Sequence, residues 1–156
     1  MGDRSPFRRH ADESPGFLLW KVTTLWQARL AGVLAKFGIT QTQYAILASL
    51  RWFEDRGEPP TQTHLAEHAR IEKMTLSKAI RALEDDGLLA RERSSEDSRA
   101  VSVCFTARGR RVVERAVVAI EEADDEFFGS LPARDLAQYK ELSRRIVDAA
   151  DAANPR

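Results

Sequence analysis

Residues Leu65 to Gly109 read "LAEHARIEKMTLSKAIRALEDDGLLARERSSEDSRAVSVCFTARG", and the spacing of apolar residues changes period within this stretch. From Lys73 to about Asp86 it is helical. Leu76, Ala79, Ile80 and Leu83 fall on one face, and a rotation of about 100° per residue puts Met74, Ser77, Lys78 and Arg81 on or near the other. A face suited to burial is thus opposed by a cationic, hydrogen-bonding one. Gly87 supplies the position that closes the helix. Beyond it the period falls to two. In "LLARER" and "AVSVCF" two extended runs are expected, and Val101, Val103 and Phe105 alternate with Ser102 and Cys104. The polar "SSEDS" joins them as a hairpin. Upstream, Thr61 can cap a short helix from Gln62 to Ala69.

Working outward, "GITQTQYAILASLRWF" places Thr40 as an N-cap with Gln43 three residues later, a capping box that starts a helix running to about Glu54. "EDRGEPP" is turn chemistry. Before it, Leu18, Val22, Leu25, Trp26, Leu30, Val33 and Phe37 follow the spacing of a long amphipathic helix that begins near Gly16 and ends at Gly38. Residues 1–15 are polar, contain two prolines and lack periodicity, so a flexible arm is expected there. After the hairpin, Thr106 caps a long helix to Phe127. "GSLP" breaks it, and a last helix covers about Ala133 to Ala150, with Leu136, Leu142, Ile146 and Val147 on one side. Two short helices followed by a two-stranded hairpin make a winged helix-turn-helix. The expected fold is mainly α with a small β-hairpin wing. It is one domain over 16–156, with a lobe at about 40–106 and long flanking helices at about 16–37 and 107–150.

Composition allows this. The 156 residues are 43% hydrophobic, enough for one core. Lysine plus arginine number 24 and aspartate plus glutamate 24, so no global field points to a partner. The distribution does: residues 70–111 hold ten basic and seven acidic side chains, and residues 112–156 hold six and ten. One cysteine excludes an internal disulfide, the start has no apolar run of signal-peptide length, and "FLLW" is cut short at Lys21. A soluble cytoplasmic protein without a membrane span or cofactor is expected.

The ordered set of elements, from "GITQTQ" through "FTARG", resembles the DNA-binding lobe of the multiple antibiotic resistance regulator (MarR) family of bacterial transcription factors, and the resemblance covers about residues 16–150. Its most specific element is "EDSRA", which matches the family's D-x-R wing signature at Asp97 and Arg99. "FTARG" resembles the family's L-T-x-x-G. The resemblance implies a DNA-binding repressor, not an enzyme, that answers to small aromatic ligands. In such a protein Lys73, Lys78, Arg81 and the helix N-termini neutralise phosphates, and Met74, Thr75, Ser77 and Arg81 reach base edges in the major groove. Thr61, Gln62 and Arg91 complete the expected DNA-binding set. Arg99 would enter the minor groove with Asp97 holding its guanidinium; the alternative is a hairpin-stabilising ion pair. Arg70 stands where helix-turn-helix proteins often have glycine, so the turn is expected to be strained or of another form.

The first and last helices carry more apolar surface than a winged helix can cover. A twofold homodimer would bury it and set two recognition helices about 34 to 36 Å apart, one turn of double-stranded DNA, over a pseudopalindromic operator. Trp20, Trp26, Phe37, Tyr44 and Trp52 are candidates for a pocket binding a small aromatic ligand, or else core residues. Cys104 alternates to the face opposite Val103 and Phe105, where a small packed or half-exposed residue is expected.

"HLAEH" needs separate treatment. His64 and His68 share a helical face with Glu67 beside them, in the H-x-x-E-H form of zinc hydrolases. No third ligand is marked in the sequence, so no metal site is expected. A metal-responsive regulator using His64 and His68, or a protein-interaction module of the same fold that ignores DNA, are the alternative functions.

Overall fold

Both capping signals around the second and third helices are realised. In the computed structural model, which describes residues 10–57, 59–93 and 101–153, the Thr40 hydroxyl accepts from the Gln43 N–H at 3.1 Å and the Gln43 side chain accepts from the Thr40 N–H at 2.9 Å. This opens α2 (Gln41–Asp55). It follows α1 (Pro15–Ala35) and precedes α3 (Gln62–Ala69), α4 (Lys73–Asp85), β1 (Leu89–Arg93), β2 (Val101–Phe105), α5 (Ala107–Phe128) and α6 (Ala133–Ala153).

Ala11–Glu13 form a 3-10 turn, and the Ser14 side chain caps α1 by accepting from the Phe17 N–H, with Pro15 at the first helical position. Of the arm expected over residues 1–15, residues 1–9 lie outside the described residues. β1 starts at Leu89 rather than Leu88, because the Leu88 N–H is spent on the Leu83 carbonyl at the end of α4, at 2.9 Å. α6 runs three residues beyond the expected end.

The chain divides into two compact units, with the boundary between Ile120 and Glu121. In the first, Leu34, Ile46, Leu50, Leu65, Leu76, Ile80 and Leu83 are fully buried, and Leu89, Val103 and Val113 extend the same core. α1 contributes mainly through Leu34, Trp26, Leu30 and Val33, while Leu18, Leu19, Trp20 and Leu25 are exposed. In the second unit, Phe128 packs at 5.2 Å from the Tyr139 ring, and Leu142, Ile146 and Val147 are exposed.

The turn between α3 and α4 takes the strained form. Arg70 adopts φ 54° and ψ 41°, the only positive φ at a non-glycine among the described residues. The left-handed conformation costs an L-residue about 1–2 kcal/mol. It is retained because it lets the Arg70 and Ile71 N–H groups satisfy the last carbonyls of α3, Glu67 at 3.3 Å and Ala66 at 3.0 Å.

"FTARG" locks the lobe to α5. The Thr106 hydroxyl donates to the Gly87 carbonyl at 2.7 Å and accepts from the Gly109 N–H at 3.0 Å, and Arg108 donates to the Asp86 carbonyl at 2.8 Å. Gly109 sits so close to the α4–β1 turn that a Cβ there would lie 1.8 Å from the Leu88 carbonyl oxygen.

Candidate nucleic-acid interface

α4 separates its two faces as the sequence implies. Leu76, Ile80 and Leu83 are buried and Ala79 is half-buried, whereas Lys73, Thr75, Lys78 and Arg81 are exposed and Ser77 is half-buried. Met74 is 78% exposed on the same face. Among the described residues none of Lys73, Lys78 and Arg81 has an ion-pair partner. Their charges are available to an external anion.

The helix start is not simply open. Glu72 is the N-cap of α4: its carboxylate accepts from the Met74 and Thr75 N–H groups, each at 2.9 Å, and from the Thr75 hydroxyl at 3.3 Å. The Met74 N–H first, then the Thr75 N–H, hold its carboxyl below the usual glutamate range. Two N–H groups expected to face a phosphate are thus satisfied internally, and the Thr75 hydroxyl must leave Glu72 to donate to a base. Glu72 was legible in principle, since an acid before the first turn complements the helix dipole, but glutamate is not among the common cap residues.

The flanking candidates divide. Thr61 caps α3 by accepting from the His64 N–H at 3.3 Å, and Gln62 is half-buried at the first helical position. Arg91, on β1, pairs with Glu84 at 2.8 Å, so its charge is already matched within the lobe. Asp97 and Arg99 lie outside the described residues. β1 and β2 pair antiparallel from Leu89 opposite Phe105 to Arg93 opposite Val101. Cys104 is half-buried with its thiol 3.5 Å from the Ala90 carbonyl oxygen, and burial pushes the thiol up from its ordinary value.

Both histidines of "HLAEH" have structural partners. His64 Nδ1 accepts from the Thr61 N–H at 3.4 Å, closing a capping box in which histidine stands where glutamate or glutamine is usual. His68 Nδ1 lies 2.9 Å from Ser49 Oγ, the buried hydroxyl of α2, and its ring lies 4.4 Å from that of Trp52 at a tilt of 35°. With Nδ1 an acceptor, a neutral His64 carries its proton on Nε2 and presents a donor, not a lone pair for a metal. Among the described residues no group of three or more His, Cys, Asp or Glu is placed to hold an ion.

The five aromatic candidates differ in their surroundings within the single chain. Trp26, Phe37 and Tyr44 pack against the core, Trp20 is exposed, and Trp52 lines an open cleft with Phe53, Arg56, His64, Glu67 and His68, which none of the other four joins. Trp52 lies in the last turn of α2, in contact with His68 of α3. Phe53 and Arg56 escaped sequence reasoning, since nothing in "RWFEDR" shows that α3 packs beside it.

No helix of the described residues is long and apolar enough to cross a membrane. A family model described as the MarR family matches residues 39–101. The HTH-type transcriptional regulator YdcH of Bacillus subtilis (strain 168) is 35% identical over 117 residues, covering 75% of this chain and 80% of that protein. The HTH-type transcriptional repressor Rv2887 of Mycobacterium tuberculosis (strain H37Rv) is 27% identical over 87% of this chain and 96% of its own. Its structure with salicylic acid has a TM-score of 0.67 over 88% of this chain and 99% of that one. The structure of Bordetella bronchiseptica BpsR, whose DNA binding is regulated by 6-hydroxynicotinic acid, has a TM-score of 0.80 at 26% identity, covering 91% and 99%. With the capped α3, the two-faced α4 and the "FTARG" lock, these likenesses establish that the chain belongs to the MarR family of DNA-binding transcriptional regulators.

Proposed function

We propose that the protein is a homodimeric repressor that binds a pseudopalindromic operator by placing α4 in the major groove and is released by a small aromatic ligand. The observation that carries this is the exposed face of α4, where Lys73, Lys78 and Arg81 are free of ion pairs among the described residues and flank Met74, Thr75 and Ser77. The cations neutralise phosphates and set affinity. The shorter side chains between them read base edges. Arg99, with Asp97 beside it in the wing, enters the adjacent minor groove.

Dimerisation is supported by apolar side chains that the single chain leaves exposed, Leu19, Trp20 and Leu25 on α1 and Leu142, Ile146 and Val147 on α6. Ligand response is supported by the relatives, of which one is described with salicylic acid and another as regulated by 6-hydroxynicotinic acid. Sequencing the genomic fragments that the purified protein selects tests the reading. Enrichment of one inverted repeat near a small set of promoters is expected. Fragments without a shared motif would reject a sequence-specific repressor.

A further inference from the structure

We infer that Glu72 is a specificity-determining residue: its carboxylate fixes the Thr75 hydroxyl as a hydrogen-bond acceptor toward DNA, so that Thr75 selects a base with an exocyclic amine, adenine or cytosine, over one with a keto oxygen. This deepens the reading above and rests on it, since it needs α4 in the major groove.

Glu72 is the N-cap of α4, and its side chain turns back over the first turn. Its Oε1 accepts from the Met74 N–H and its Oε2 from the Thr75 N–H, each at 2.9 Å. Two bonds to two different oxygens leave the carboxylate little freedom to rotate. The Thr75 hydroxyl lies 3.3 Å from the same Oε2. An ionised carboxylate has no proton to give, so the proton between these two oxygens is the hydroxyl's. Glu72 stays ionised at neutral pH, because the Met74 N–H and then the Thr75 N–H hold its carboxyl below the usual glutamate range. A threonine hydroxyl carries one proton. With that proton turned inward, only lone pairs face away from the helix.

Thr75 is exposed, so those lone pairs are open to a base edge. The major groove shows amines at adenine N6 and cytosine N4, and oxygens at thymine O4 and guanine O6. An acceptor bonds to the first pair and meets a lone pair on the second. A free threonine adapts to either by rotating its hydroxyl, which is why threonine alone carries little base information. The carboxylate removes that choice. To donate to a keto oxygen the hydroxyl must give up Glu72, whose charge also repels that oxygen. Glu72 thus acts through Thr75, as a positioning residue.

The test is a set of titrations of the full chain on the duplex it selects from genomic DNA. Thr75→Val keeps the shape without the hydroxyl. It identifies the base pair that Thr75 reads as the one whose reversal between strands costs wild type more than the variant. Deleting the amine of that pair, with purine for adenine or 2-pyrimidinone for cytosine, should weaken wild type about fivefold and Thr75→Val hardly at all. Glu72→Ser keeps a cap on α4 but frees the Thr75 hydroxyl to turn. Reversal of the pair should then cost this variant within about twofold of what it costs Thr75→Val. A merely structural Glu72 would lower affinity for both orientations alike and keep their ratio. That result overturns the proposal. So does a wild-type loss on deleting the paired keto oxygen in place of the amine, or a Thr75→Val profile identical to wild type. In each of these cases the operator reading stands, whereas selection of no shared motif would sink both together.

Discussion

Arg110 on α5 grips Glu54 on α2 with both terminal guanidinium nitrogens, each 2.9 Å from one carboxylate oxygen, across 56 residues of sequence. The hydrogen bonds to Glu54 are the main reason that Arg110 holds its proton more firmly than usual. The pair ties the start of α5 to the helix that ends beside α3. Arg110→Lys keeps the charge but loses the fork, so a small fall in thermal midpoint is expected, on the order of 1–2 °C. High salt should shrink the difference. An unchanged midpoint in low salt would mean that the fork contributes nothing.

Gly109→Ala offers a stronger test of the packing. In an ordinary helix interior alanine is favoured over glycine by about 0.5–1 kcal/mol. Here the added Cβ would meet the Leu88 carbonyl oxygen at 1.8 Å, and backbone cannot rotate away as a side chain can. A loss of about 1–3 kcal/mol in denaturant unfolding is therefore expected. A stabilised variant would contradict the lock between the α4–β1 turn and α5.

Glu72 gives a pH dependence with a defined sign. Its folded-state carboxyl is held below the ordinary glutamate value, so its contribution to stability is fully present above that value. It is lost as pH falls through the lowered folded value. Glu72→Gln should flatten this part of the acid limb and lower the thermal midpoint at neutral pH. It also removes a negative charge from the start of α4, so affinity for random duplex should rise roughly threefold at moderate salt. Weaker binding to random duplex would show that the carboxylate cap assists DNA contact rather than opposing it.

The elements that carry their own start signals were legible in the sequence. Thr40 with Gln43, Thr61 before "QTHLAEHA" and Thr106 before α5 each place a helix to within a residue, because a cap bond is local chemistry between neighbours. The partners of charged side chains were not legible. Arg91 finds Glu84 and Arg110 finds Glu54 only when helices and strands are packed, and neither spacing announces a pair. "HLAEH" shows both sides: the pattern is local, but its meaning depends on Thr61 and on Ser49, which lies 19 residues away. The α2–α3 cleft was hidden for the same reason.

Positioning and reading on α4 and the wing separate by substitution. Lys78→Ala should weaken operator and random duplex alike and flatten the salt slope by roughly one unit, since a phosphate contact releases about one counterion whatever the sequence. Arg99→Ala should cost more on operators with A·T-rich flanks than on G·C-rich ones, and Asp97→Ala should reproduce much of that loss. Equal losses on both flanks, measured by titration, would reduce Arg99 and Asp97 to a hairpin ion pair.

The central claim is that two copies of α4 enter successive major grooves of one operator. Hydroxyl-radical footprinting of the intact protein on a duplex selected from genomic DNA tests it most directly. The prediction is two equivalent protected windows related by a twofold axis, with centres about 10 to 10.5 base pairs apart, together with a stoichiometry of two chains per duplex. A single asymmetric window occupied by one chain would contradict it.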